Sequence, residues 1–424
     1  MRRKLLLLMG LAALPILAAP VAALPKAPGA ELRVNSTSAT SPTIERHPVA
    51  AFSAAGNSLV VWEDDRGGLL GRFFGADSGP LSATLTLVAN RLPSTLPYQA
   101  QVAIQKAVSI AFLPNNQFFL FWTEETDFED ASLFFLQDTL IDHQLFGQKF
   151  DGGGRALGDR FPVNTTAAGF QSGARALVRA NDLIVTWQTS RNPVFPTNGD
   201  NDGIFLRSFD LSGNATSGEI RVSAKGTRAN APAIAGGASG KFVVAYENGD
   251  GDGRGVFAQP YTAALTPIGS VVRVNTDTAL DQRKPAVAAD VAGNYMVAWQ
   301  GQVNDTKHAR VFAQQVGAAG NLIGAQIAVS HGAVQYEVAP SVAAGRTSFL
   351  VSWLGYGETF PTGILASSID RVTGAVSAAI QVNQQPLGAN TQSAVAGNGA
   401  GAFLLPWEGF VGDNLGISAR RLAE

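Results

Sequence analysis

The chain has 424 residues, a formal net charge of −2, only 15% charged residues and no cysteine. The missing cysteines exclude a disulfide scaffold, a thiolate metal site, a cysteine nucleophile and a lipid-bearing N-terminal cysteine. The near-neutral charge argues against a nucleic-acid partner, which would require a basic face.

The first element reads as an export leader. Arg2, Arg3 and Lys4 precede an apolar run from Leu5 to Ala18, and Val21, Ala22 and Ala23 supply the small residues of a cleavage site. That run falls short of the roughly 20 residues a membrane span needs. A signal peptide over 1–23 is therefore expected, then one domain over 24–424. The mature chain is expected to be monomeric, without a membrane span, and periplasmic, extracellular or on the cell surface.

Beyond the leader, short patterns return in fixed order. A strand of small residues comes first, as in Pro48-Val49-Ala50-Ala51, Ala231-Pro232-Ala233-Ile234, Lys284-Pro285-Ala286-Val287 and Ala339-Pro340-Ser341-Val342. A β-branched strand follows and ends in an aromatic, at Trp62, Trp122, Trp187, Tyr246, Trp299, Trp353 and Trp407. These seven residues stand 53 to 65 positions apart and include all six tryptophans of the chain. A third strand follows a Gly-rich turn, as in Gly255-Val256-Phe257-Ala258-Gln259 and Gly416-Ile417-Ser418-Ala419-Arg420. A fourth pattern ends in Asn or Ser, at Asn35, Asn90, Asn164, Ser223, Asn275, Ser330 and Asn383. In the second repeat the inner strand is obscure, and Val108 to Phe112 is the best match.

A repeat of this length with four short strands is a propeller blade. The all-apolar second strand fits burial on both faces between neighbouring blades, and its terminal aromatic can fill the wedge between them. The phase adds a closure rule. The fourth pattern occurs first, at Glu31 to Asn35, while the chain stops after a third strand at Gly416 to Leu422. Pairing the two would remove both exposed edges. The predicted fold is an all-β, seven-bladed β-propeller whose N-terminal strand completes the last blade.

The phrases Arg273-Val274-Asn275, Met296-Val297-Ala298-Trp299-Gln300 and Arg310-Val311-Phe312-Ala313-Gln314 resemble a repeat widespread in secreted and surface proteins of bacteria. The layout is similar to integrin-like seven-bladed propellers. The resemblance implies the fold and an extracellular setting, and little about function.

In such a ring the loops between second and third strands share a face with the connections between blades, so that face is the expected binding surface. Two of these loops carry alternating oxygen donors before a glycine: Asn248, Asp250 and Asp252 before Gly253, and Asn198, Asp200 and Asp202 before Gly203. That spacing suits Ca²⁺ and resembles the loop of integrin-type propellers. The other reading is a polar hairpin, since Asn, Asp and Gly dominate tight turns. The second blade is longest between Thr123 and Ile141, where Glu124, Glu125 and Asp127 precede Phe134 and Phe135. With Phe195 of the third blade they form a candidate binding rim, or else a solvated lid.

Catalytic signals are thin. The four histidines, His47, His143, His308 and His331, fall at different repeat phases, and the paired carboxylates Asp64 and Asp65 sit in a loop. No catalytic residue is assigned. The leading expectation is non-catalytic recognition of a carbohydrate or protein. The alternative is a carboxylate-dependent glycoside hydrolase or lyase working at the channel mouth.

Overall fold

The computed structural model describes residues 29–35, 45–64, 68–89, 102–128, 140–166, 169–190, 202–303, 308–332, 334–357, 363–384, 394–411 and 414–424. The expected leader lies outside these residues. What is described is almost wholly strand and turn, with one short 3-10 turn at Ala238–Gly240. No described helix is long and apolar enough to cross a membrane.

Four strands in meander order build each blade. Blade 1 runs Glu45–Phe52, Ser58–Asp64, Leu69–Phe74 and Leu85–Val88. Blade 2 runs Val102–Phe112, Phe118–Phe128, Leu140–Phe150 and Phe161–Pro162. Blade 3 runs Phe170–Val178, Asp182–Ser190, Gly203–Asp210 and Ile220–Arg221. Blade 4 runs Asn230–Gly236, Phe242–Gly249, Arg254–Tyr261 and Val272–Arg273. Blade 5 runs Gln282–Ala289, Tyr295–Gln302, Ala309–Val316 and Leu322–Ala328. Blade 6 runs Tyr336–Ala344, Ser348–Tyr356, Gly363–Asp370 and Ile380–Gln381. A single parallel bridge, Ala309 to Tyr336, joins blades 5 and 6 into one hydrogen-bonded sheet.

Blade 7 is composite. Ala396–Gly397, Ala402–Val411 and Asn414–Ala423 are completed by the N-terminal strand Leu32–Arg33, which pairs antiparallel with Ala419 and Ser418. Val34 donates its N–H to the Ile417 carbonyl at 2.9 Å and is fully buried. The inner strands neighbour one another in sequence around the circle, and the blade 7 inner strand meets that of blade 1. Both expectations therefore hold: seven blades, closed by the leading strand.

The recurrent residues have separable duties. All seven blade aromatics are 0 to 1% exposed. Truncating one would cost about 3–5 kcal/mol, the usual price of a large core cavity. The recurrent Asn or Ser closes the outer strand by accepting a backbone N–H from the start of the third. Asn164, Asn275 and Asn383 accept from Leu145, Val256 and Ile364 at 2.9, 2.8 and 2.7 Å. Ser223 and Ser330 do the same for Ile204 and Val311. Asn35 does it for Ile417 at 3.0 Å, across the closure. Asn90 lies outside the described residues. The third strand contributes an arginine staple: Arg72, Arg207 and Arg420 each donate to the carbonyl of Val34, Val163 or Val382 in the preceding blade. Both devices satisfy buried backbone groups that a two-residue outer strand leaves open.

Candidate active site at the junction of blades 7 and 1

Inner strands begin where second strands end. Glu45 pairs with Asp64, Asn230 with Glu247, Gln282 with Gly301 and Glu337 with Gly355. The second-to-third-strand loops and the connections between blades therefore share one face, as expected.

Near that face the inner strands of six blades carry a bulge. The register jumps from Arg46 to Val49, Lys106 to Ser109, Ser172 to Arg175, Asn230 to Ala233, Arg283 to Ala286 and Val338 to Ser341. In four of them the bulged residue precedes a proline and takes a left-handed backbone: His47 at φ 50°, Ala231 at 51°, Lys284 at 53° and Ala339 at 52°. Proline offers no N–H to the ladder, which is why the strand bulges there. Left-handed backbone costs a non-glycine residue about 1 kcal/mol, and a bond from the preceding blade offsets it. The residue directly after each blade aromatic reaches across to take the bulged N–H. Glu408 takes that of His47 at 2.7 Å, Gln188 that of Ala231 at 2.7 Å, Glu247 that of Lys284 at 2.7 Å and Gln300 that of Ala339 at 2.9 Å. Glu408 and Glu247 are therefore, first of all, latches between blades.

Of these four latched residues only His47, at the junction of blades 7 and 1, brings a titratable ring. The His47 Nδ1 lies 2.7 Å from Glu63 Oε2, while its side chain stays 42% exposed against 11% for Glu63. The bond to Glu63 raises the His47 pKa, burial opposes it, and the nearby charges of Glu63 and Glu408 add to the rise. Glu408 is 1% exposed, and burial pushes its carboxyl up against the pull of the His47 N–H. Glu45, also buried, is raised to about 7, by burial first, with the Trp62 indole pulling the other way and Asp64 adding repulsion. Arg46 adds an exposed cation beside His47 and Glu408. One half-exposed imidazole, oriented by Glu63 and backed by the buried carboxyl of Glu408, can hold and move a proton near neutral pH.

A second cation lies deeper. Arg175 follows the bulge in blade 3, at the position held elsewhere by Val49, Ser109, Ala233, Ala286 and Ser341. Its Nη1 donates to the Ala174 carbonyl at 2.9 Å. The side chain is open to water, yet walled in enough that burial lowers its pKa. Both observations fit a guanidinium standing in the central channel.

The residues singled out from sequence are more scattered. The blade 4 loop is a tight hairpin in which Gly249 pairs with Arg254. Asn248 Oδ1 accepts from the Gly249 N–H at 2.9 Å, and Asp250 Oδ1 from the Asp252 N–H at 3.3 Å. Asn198 and Asp200 lie outside the described residues, and the Asp202 carbonyl accepts from Arg221. Among the described residues no three acidic or imidazole groups converge as a metal would require. In blade 2 both ends of the stretch expected to overhang as a loop are strand, the second strand running on to Phe128 and the third starting at Leu140, while residues 129–139 lie outside the described residues. Glu124 is buried and bonded to Arg160, whose guanidinium lies over the Phe146 ring at 4.0 Å. Glu125 faces His143 at 3.8 Å. Asp127 holds a strand position opposite Ile141. Phe134, Phe135 and Phe195 lie outside the described residues. Asp64 pairs with Glu45 at the channel mouth, and Asp65 is outside the described residues.

His47, Glu63, Glu408 and Glu45 were not singled out from sequence as a site. A signal was present: an acidic residue or amide follows the blade aromatic in Trp62-Glu63, Trp187-Gln188, Tyr246-Glu247, Trp299-Gln300 and Trp407-Glu408.

No family model and no curated protein matches this chain. Solved structures do. A protein of unknown function from Dyadobacter fermentans is similar with a TM-score of 0.51 at 13% identity, over 77% of this chain and 100% of its own. The polysaccharide lyase Uly1 is similar with a TM-score of 0.50 at 9% identity, over 88% of this chain and 90% of its own. An α-L-arabinanase of Penicillium chrysogenum, complexed with arabinobiose, covers 94% of this chain at 11% identity with a TM-score of 0.46. At these identities the likeness is one of fold, a fold shared with a polysaccharide lyase.

Proposed function

We propose that this protein is an exported, carbohydrate-active propeller that binds an acidic polysaccharide across its channel mouth and cleaves it by proton abstraction, with His47 as the base. The carrying observation is the His47–Glu63 pair. The Nδ1 contact to Glu63 at 2.7 Å assigns the ring proton to that nitrogen and leaves the Nε2 lone pair for a substrate. A double-carboxylate hydrolysis is less well supplied, because the carboxyls here are spent. Glu408 and Glu247 hold bulged N–H groups and are at most 4% exposed.

In the proposed step the imidazole takes the proton on the carbon bearing the uronate carboxyl. The electron pair forms a ring double bond, and the glycosidic oxygen leaves with a solvent proton. That chemistry needs cations near the uronate, and Arg46 and the channel guanidinium of Arg175 are available. Likeness to a polysaccharide lyase of the same fold supports the reading without deciding it.

Incubation with pectate, alginate and glucuronan tests it through the ultraviolet absorbance of an unsaturated product. The wild type is expected to generate that absorbance and His47→Ala to lose it. New reducing ends without absorbance would mean hydrolysis instead. Binding without either would return the protein to a recognition role.

A further inference from the structure

On the opposite face lies a groove of about 420 Å³ between blades 1 and 2, bounded by Ser53, Asn57, Phe73, Leu81, Phe112 and Asn116. That volume falls in the range of roughly 300–1,000 Å³ typical of small-molecule sites. At four other junctions on this face a long charged side chain spans the gap between blades. Lys149 reaches the Leu211 carbonyl at 2.8 Å. Arg179 reaches the carbonyls of Gly240 and Ala263 at 3.0 and 2.8 Å. Arg421 bonds Ser58 Oγ and the Gly75 carbonyl at 3.0 and 2.7 Å, and the Glu424 carboxylate takes the N–H groups of Arg346, Thr347 and Ser348. Phe73 pairs with Leu59 as Lys149 pairs with Phe119 and Arg421 with Leu404. At that register position blade 1 carries a ring, which offers blade 2 no donor, and the contact across this gap is the Ala55 N–H donating to Asn116 Oδ1 at 3.3 Å, which leaves the Asn116 amide N–H groups to the groove.

The open groove holds an unanswered polar group. Ser53 is 8% exposed and its hydroxyl has no hydrogen-bond partner. A buried hydroxyl left without a partner costs free energy that a bound hydroxyl would recover. Around it stand the Asn57 and Asn116 side chains, the Phe112 ring and the exposed apolar arm of Leu81. No charged residue lines the groove. We propose that this groove binds a neutral pyranose unit, with its hydroxyls on Ser53, Asn57 and Asn116 and its C–H face against Phe112 and Leu81. The site is separate from the channel mouth and acts by holding, so it would tether the protein to a neutral glycan irrespective of what the His47 face does.

Saturation-transfer NMR and calorimetry would be run with glucose, galactose, xylose, arabinose and the disaccharides cellobiose, maltose and lactose. At least one sugar is expected to bind wild type and His47→Ala equally. Asn57→Trp, which fills the groove but keeps the backbone bond from Ser53 to the Asn57 carbonyl, is expected to abolish binding at unchanged Tm. Ser53→Ala should weaken it about ten-fold, the scale of one unpaired polar group. No binding by any sugar at tens of millimolar would overturn the proposal. So would binding that survives Asn57→Trp, or binding lost in His47→Ala.

Discussion

The junctions of blades 4 and 5 and of blades 7 and 1 are built alike and differ in one respect. In both, a glutamate directly after the blade aromatic takes the N–H of a left-handed, pre-proline residue at 2.7 Å. In the first the latched residue is Lys284, and the glutamate is also faced by Arg254 at 3.9 Å. In the second it is His47, whose ring turns to a further glutamate. The shared part is mechanical: it ties one blade to the next and compensates a strained backbone. The difference is chemical: an imidazole stands at one junction where an ammonium stands at the other.

The largest effect should come from the strand that makes the second junction possible. Deleting Glu31 to Asn35 uncovers Ile417, removes the acceptors of Arg72 and the Ile417 N–H, and leaves an open edge. A loss of at least about 3 kcal/mol is expected in urea unfolding, with no counterpart elsewhere in the ring. A truncated protein as stable as the parent would show that the leading strand does not complete blade 7.

Next come the latches themselves. Glu408→Ala and Glu247→Ala should each cost about 1–3 kcal/mol, because each removes a carboxylate acceptor from the part-buried N–H of a bulged residue. Glu408→Gln should restore most of the loss, since Gln188 and Gln300 already do this work. If Glu408→Ala were silent and Glu247→Ala costly, the two junctions would not share a mechanism.

The pH dependence separates them further. The folded-state pKa values of Glu45 (about 7), Glu408 and His47 are all raised, so the native state binds these protons more tightly than the unfolded chain. Their contribution is complete below the unfolded values and is lost as pH rises through the folded ones. Burial pushes Glu219 and Glu424 up, but the N–H and hydroxyl groups they accept from together outweigh it and hold both below the ordinary value, so they act oppositely below about pH 4.5. Tm should therefore peak near pH 5 and fall toward pH 8. Glu45→Gln should remove much of that fall, raising Tm at pH 8 by a few degrees. Blade 5 already uses this amide, where Gln282 accepts from the Trp299 indole at 3.0 Å. A pH profile unchanged by Glu45→Gln would disprove the assignment. The smallest effect on stability should be that of His47→Ala, because Ala231 and Ala339 hold the same backbone with a methyl group.

Much of the architecture was legible because the ring repeats one packing problem seven times. A wedge between blades must be filled, so an indole returns at Trp62, Trp122, Trp187, Trp299, Trp353 and Trp407. An outer strand of two residues must be closed, so an Asn or Ser returns. The site was not legible, because it is a departure from the repeat. His47 stood out only as a histidine at an odd phase. Its meaning needs the bulge that turns residues 46 to 49 and the neighbouring blade that supplies Glu408, 361 positions away. Nor does sequence tell a solvated carboxylate from a paired one: Glu124 reads as a rim residue, and in the fold it is buried and bonded to Arg160.

The most direct test of the channel-mouth account is kcat/KM against pH on a uronate polysaccharide the protein turns over. The account predicts a rate that climbs with pH as His47 loses its proton, through an apparent pKa above the ordinary histidine value of about 6.5. That limb should vanish, with the activity, in His47→Ala while Tm holds. A flat profile, or one whose limb survives in His47→Ala, would contradict it.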